Sequence, residues 1–356
     1  MLMVKAIRNF FKFLSAIIAL AVVVLSVVIG LAVYFNSPPK SKPFPIEESM
    51  RLEKDGDLFI KIRDGESALS VGRRLETAGV IRSQYFWYFL FRLDDEQIKT
   101  GSYKFELPAS QLKIRSILTG GEQILVRVTI PEGVTLKKTA GILEDSGICE
   151  AEKFLAASSS KEILNAYHVP GATMEGYLYP DTYLFPLGYP APKVVQAMAE
   201  TFFLRLESIS PEVASISPSE LNARVIIASI VEREYRVPEE APLMAGVFFN
   251  RLKIGMALQS CATVVYVITE VQGKPHPEQL FNRDLEIRDP YNTYLRPGLP
   301  PGPISAPGET ALKAAFYPSS SDYLYFRLTD ISTGRHYFSR TLDDHIRAGT
   351  LYVKGR

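Results

Sequence analysis

Residues 13–39 contain no charged side chain, and residues 14–33 are almost wholly Leu, Ile, Val and Ala. Such a run exceeds the roughly 20 residues that cross a bilayer as a helix. It fixes the chain as one anchored segment followed by a separate globular part. A cleaved signal peptide would carry an apolar core of about 7–15 residues before a small-residue cleavage site. Here the core is longer, and Tyr34-Phe35-Asn36 is a poor cleavage site. Lys5, Arg8 and Lys12 precede the run, so the positive-inside rule holds the N-terminus in the cytoplasm and exports the rest. The expectation is a cytoplasmic tail at 1–12, a single-pass span at 13–35 in the cell (inner) membrane, and a proline-bearing spacer at 36–56.

The most informative exported stretch is 217–235. Ser217 is placed to cap a helix, Pro218 takes the first helical position, and Glu220 completes a capping box. Pro238 ends the segment. Six of the seven residues from Val225 to Val231 are apolar, and the exception is the small Ser229. A helix with that run is buried on nearly every side. Leu221, Val225, Ala228 and Glu232 fall on one stripe, so Glu232 continues an apolar face. A carboxyl group held against apolar side chains has a raised pKa, and a neutral acid near pH 7 can protonate a leaving group. The alternative is an exposed helix-end glutamate paired with an arginine. Glu234 lies roughly 200° further round the helix and faces elsewhere.

Between the span and this helix the chain repeats itself. Gly65 aligns with Gly133, an offset of 68 (133 − 65). Ile62 then meets Ile130, Ser67 meets Thr135, Leu75 meets Leu143, Gly79 meets Gly147 and Phe86 meets Phe154. Each copy reads as strand, Asp-Gly or Glu-Gly turn, capped helix and glycine stop. The first copy carries Tyr85, Phe86, Trp87, Tyr88, Phe89 and Phe91 on one helix. Aromatic rings can stack on sugars, but at helical spacing a core role is the plainer reading.

With 40 basic against 39 acidic side chains, nothing points to nucleic acid. The four histidines are scattered without metal-ligand spacing, so neither a metal nor another cofactor is expected. Asp343-Asp344-His345 reads as solvated surface, and no Gly-x-Ser-x-Gly elbow is present. Cys149 and Cys261 are expected to be buried free thiols.

Five motifs in order carry a resemblance. They are Glu175-Gly-Tyr-Leu-Tyr-Pro-Asp-Thr-Tyr, Ala228-Ser-Ile-Val-Glu-Arg-Glu, Asn250-Arg-Leu-Lys-Ile-Gly-Met, Tyr291-Asn-Thr-Tyr and Gly298-Leu-Pro-Pro-Gly-Pro-Ile. With the anchor, they make the chain resemble the endolytic murein transglycosylase family from the span to about Ala348. The resemblance implies an α+β protein with a LysM-like small α/β module at 57–125, a second repeat unit at 126–160 and a catalytic domain at 161–356. It implies Glu232 as the catalytic residue, peptidoglycan glycan strands as substrate and peptidoglycan synthases as neighbours. Glu175, Asp181, Glu234, Asn250, Gln259, Tyr291, Asn292 and Tyr294 are the substrate-binding candidates. One departure is Ser260-Cys-Ala-Thr, which follows Leu258-Gln where the family commonly has Asp-Pro-Thr.

The implied reaction needs one carboxyl group, because a muramic acid's own C6 hydroxyl replaces water as nucleophile and closes a 1,6-anhydro ring. A muramidase-type hydrolase would need a second carboxylate, for which Glu175, Asp181 and Glu234 are the candidates. A non-catalytic, membrane-tethered wall-binding protein is the third reading.

Overall fold

The structure is a computed structural model that describes residues 2–40, 43–44, 50–52, 57–94, 96–121 and 123–351. Most of the expected 36–56 spacer, at 41–42, 45–49 and 53–56, lies outside the described residues. By compactness the chain forms two units, residues 1–125 with 186–189, and residues 126–185 with 190–356.

The first unit opens with α1 (Leu2–Asn36), whose helix begins well before the expected span and takes in the basic tail. From Lys12 to Asn36 it is long and apolar enough to cross a membrane. Strands β1 (Met50–Leu52), β2 (Leu58–Ile62) and β3 (Gly101–Phe105) make an antiparallel sheet with β2 in the middle. Helices α2 (Ala68–Thr77), α3 (Gln84–Arg92) and α4 (Gln111–Gly120) cover it. Alternation puts Leu58, Ile60 and Ile62 on the core face, against Val71, Leu75, Trp87, Tyr103 and Ile114. Trp87 donates its indole N–H to the Ala68 carbonyl at 2.9 Å. Gly72 permits this close approach, since a Cβ there would sit 2.5 Å from the indole ring.

One expectation is corrected here. It concerns α3, and beside it the end of α1 is seen to dock directly on α3 and α4. Phe35 stacks on Phe86 with ring centroids 5.9 Å apart, and Gln111 donates to the Phe35 carbonyl at 2.8 Å. The aromatic helix is not all core. Trp87 and Leu90 are buried, whereas Tyr85, Tyr88 and Phe89 are exposed.

The second unit begins with β4 (Leu125–Thr129), α5 (Leu136–Asp145), α6 (Ala151–Ser158) and α7 (Lys161–Ala166). The aligned repeat positions carry the same local devices. Ser67 and Thr135 accept cap bonds from Ser70 and Lys138, Gly65 and Gly133 take φ of 69° and 72°, and Leu75 and Leu143 are fully buried. The strand pairings differ: β4 pairs with β5 (Thr182–Pro186) in a two-stranded sheet.

Around α9 (Pro218–Glu234) pack α10 (Ala241–Lys253), α11 (Cys261–Tyr266) and α12 (Glu309–Phe316), with α8 (Ala191–Ile209) against α12. The hairpin β6 (Tyr325–Asp330) and β7 (Arg335–Ser339) and the helix α13 (Leu342–Leu351) pack together and close the unit. The chain is therefore mixed α+β, as the motifs implied. Helix α9 starts as read, with Ser217 accepting from the Glu220 amide at 3.2 Å and Val225 to Val231 buried. The capping box is only half made, because Arg224 engages the Glu220 carboxylate at 2.9 Å.

Candidate active site

Ser229, the one polar residue in the buried run of α9, organises the site. Its hydroxyl donates to the Ile226 carbonyl at 2.8 Å and accepts from the Ile304 amide at 3.0 Å. Ser305 returns a bond to the Ser229 carbonyl at 3.0 Å. The Pro-rich loop is thereby pinned along α9. It is also laced to the β4–α5 turn, where Gly133 and Ala306 amides donate to Ala306 and Val134 carbonyls, each at 2.8 Å. Arg233 donates to the Gly133 carbonyl at 3.0 Å.

This lacing brings Gly308, the residue before α12, to Glu232. The Gly308 amide donates to Glu232 Oε2 at 2.9 Å. Glu232 is half-buried, and its carboxyl is pushed up to about 7, first by burial. The Gly308 bond opposes that rise, the nearby Glu132 carboxylate adds to it, and Tyr235 and Arg233 oppose it weakly. An acid at a helix N-terminus with one backbone donor has its anion steadied after it gives up a proton. Burial pushes Tyr235 up to about 12, with Glu232 and Glu132 adding to it.

Glu132 is the residue that sequence reasoning left in a turn. A Cβ at Gly308 would fall 1.9 Å from Glu132 Oε1, so Gly308 is touched by Glu132 and Glu232 together. The available signal was the acid preceding the turn glycine in both repeat copies, Asp64 and Glu132.

The other candidates fall into separate groups. Glu175 is buried, and both its carboxylate oxygens accept from the Leu136 amide at 3.0 Å, at the start of α5. Burial pushes its carboxyl up to about 8, and Tyr266 bonds to it. Tyr291 packs on Tyr266 with centroids 4.9 Å apart. Glu234 points to α11, accepting from the Ser260 hydroxyl at 2.5 Å, and burial raises its pKa. Tyr294 sits beside it, its hydroxyl 3.1 Å from Cys261 Sγ. Cys261 is exposed and free, which corrects the expectation of two buried thiols; Cys149 is half-buried and also free.

Asp181 forms a surface pair with Arg205 at 3.4 Å. The side-chain N–H groups of Asn250 go to the Ser321 and Tyr323 carbonyls at 2.7 and 3.0 Å. Asn292 is wholly buried, giving its amide to Leu285 and Ile287 carbonyls and accepting from the Tyr294 amide. Both of its side-chain N–H donors are therefore used within the protein. Gln259 is exposed at a φ of 50°, a left-handed conformation uncommon outside glycine. Among the described residues, no three His, Cys, Asp or Glu side chains are grouped so as to hold a metal ion.

Of the three buried or half-buried carboxyls with raised pKa among the described residues, Glu232 is the one held by the Gly308 amide before α12, with its proton kept to about pH 7. The model of the YceG-like family matches residues 60–350, and the chain belongs to that family. A protein of Bacillus subtilis (strain 168) named endolytic murein transglycosylase is 29% identical over 329 residues, covering 86% of this chain and 88% of that protein. One of the same name from Streptococcus pneumoniae serotype 2 is 28% identical over 326 residues, covering 83% of this chain. The chain spans 58% of that longer relative. A crystal structure of a YceG-like protein from Listeria monocytogenes is similar with a TM-score of 0.55 and 29% identity, covering 83% of this chain and 99% of that one.

Proposed function

We propose that this chain is a single-pass, membrane-anchored lytic transglycosylase that cuts peptidoglycan strands internally between N-acetylmuramic acid and N-acetylglucosamine. The observation that carries the reading is Glu232, half-buried, tuned to about 7 and bonded to the Gly308 amide. Neutral Glu232 gives its proton to the glycosidic oxygen as the C1–O bond breaks and oxocarbenium character develops. The resulting carboxylate, held by Gly308, takes the proton of the muramic acid C6 hydroxyl. O6 then bonds to C1, the 1,6-anhydro ring closes, and Glu232 is neutral again. No water is consumed, and no second carboxylate has to activate one.

The same two relatives that carry the transglycosylase name supply the substrate class. Helix α1, with its basic N-terminal side, supports a cytoplasmic N-terminus and an extracytoplasmic catalytic unit. The β2-α2-α3-β3 order of the first unit supports the LysM-like reading. Tyr291 and Tyr294, half-buried, offer partly open rings to stack on sugar, and the Gln259 amide donates to the Thr293 carbonyl between them at 3.1 Å.

Glu132 favours one rival, a hydrolase in which it is the second carboxylate. The products decide between them. Strand digests in ¹⁸O-water should yield 1,6-anhydromuramic ends without label, whereas labelled reducing ends would establish hydrolysis. Glu232→Gln should lower cleavage by about 10²–10⁴-fold with strand binding kept. Retained cleavage in that variant would sink both mechanisms.

A further inference from the structure

The first unit holds the end of α1 by its backbone. Gln111 takes the Phe35 carbonyl, the Leu112 amide donates to Asn36 Oδ1 at 2.9 Å, and Arg82 takes the Ser37 and Pro38 carbonyls at 3.1 and 2.8 Å. The Arg82 guanidinium lies 4.6 Å above the Tyr34 ring. The last carbonyls of a helix have no partner within it, and leaving them unpaired is costly at a membrane boundary. Here the module supplies the partner of the Phe35 carbonyl and takes the two carbonyls just past the helix end, while Ser37 caps the Val33 and Tyr34 carbonyls.

The depth of this junction follows from length. The uncharged residues from Phe13 to Phe35 rise about 34 Å at 1.5 Å each, a little more than the roughly 30 Å hydrocarbon core. Tyr34 and Phe35 therefore reach the lipid headgroup region when α1 spans. Phe86 is stacked on Phe35, and Phe89 is one ring further along α3, 6.5 Å from Phe86. The outward face of α3 carries Tyr85, Tyr88 and Phe89, at i, i+3 and i+4, which are 74%, 41% and 52% exposed. Leu112, bonded to Asn36 through its amide, is 47% exposed. The inward face of α3 is apolar too, and the only charge on the helix is Arg92 in its last turn, at the headgroup-facing end of the same stripe as Tyr85 and Tyr88.

We propose that this aromatic face, Tyr85, Tyr88 and Phe89 with Leu112, is seated in the headgroup–acyl boundary of the bilayer that α1 spans. The proposal rests on the anchor reading of α1. Tyrosine rings with an apolar body and a polar tip suit that layer, where they are enriched at membrane boundaries. An apolar face also gains by leaving water, with binding that scales with its buried area.

The test uses the full chain in phosphatidylethanolamine–phosphatidylglycerol vesicles, with Cys149 and Cys261 changed to Ser. Single cysteines at Leu25, Tyr85, Phe89 and the exposed Arg73 of α2 carry an environment-sensitive fluorophore, and lipids carry a nitroxide near the headgroup or near the chain end. Tyr85→Cys and Phe89→Cys replace exposed side chains, so the core is untouched. Their labels should be quenched by the shallow nitroxide at least about twofold more than the Arg73 label, while Leu25 responds to the deep one. A quenched Leu25 label with Tyr85 and Phe89 no different from Arg73 would overturn the proposal and leave the anchor standing. An unquenched Leu25 label would remove the anchor reading and this one with it. Tyr85 and Phe89 labels that ignore lipid but change emission on adding isolated glycan strands would make the face a sugar platform instead.

Discussion

At the scale of single residues, the site turns on how many charges Gly308 gathers. Its amide holds Glu232 and its Cα lies against Glu132, so the two carboxylates interact although 100 residues separate them in sequence. An anionic Glu132 disfavours ionisation of Glu232 and so helps it keep a transferable proton. Glu132→Gln removes that charge and keeps the size. The pH–rate profile of strand cleavage should then move to lower pH on its basic limb. A purely structural role for Glu132 would lower the rate at every pH and leave the limb in place. Neither contact was legible in the sequence, because Glu132 meets Gly308 only through the lacing of loop 304–308 to the turn at 132–134. Glu232 was legible, since its helix and its apolar stripe are local.

At the scale of elements, α9 shows why some structure could be read and some could not. Its cap, its Pro and its buried run are set by neighbours within one or two turns, and the helix formed where they indicated. The missing half of the capping box reflects a competitor four residues on, Arg224, with a stronger charge than the Ser217 amide. The aromatic run of α3 was ambiguous for a different reason. Apolar residues on all sides of a helix specify burial without saying what buries each side. Ser229 looked merely small, yet its hydroxyl accepts from the buried Ile304 amide at 3.0 Å. Ser229→Ala should therefore cost about 1–3 kcal/mol, read as a lower urea midpoint at unchanged slope. It should also weaken catalysis, because Gly308 lies just beyond the loosened loop.

At the scale of the whole molecule, the buried carboxyls couple stability to pH. Glu232 keeps its proton to about pH 7 and Glu175 to about 8 when folded, against 4.5 for the ordinary group. Between those limits the folded chain binds more protons than the unfolded one, so stability falls as pH rises. The contribution is whole below pH 4.5 and is lost as pH passes each folded value. Glu232→Gln should thus melt higher than the unaltered chain at pH 8, by on the order of 1 kcal/mol, and lose that advantage near pH 5. Thermal denaturation followed by circular dichroism at the two pH values checks it. Such a gain in a variant without activity is the usual trade at a functional site.

The docking of α1 on its module has a mechanical consequence. A domain on a loose leash tumbles independently of the helix that tethers it. Here Arg82, Gln111 and Phe86 clamp the last turn of α1 and the residues just after it, so the junction transmits torque. Whatever tilts or turns α1 therefore turns the first unit with it, by orientation alone.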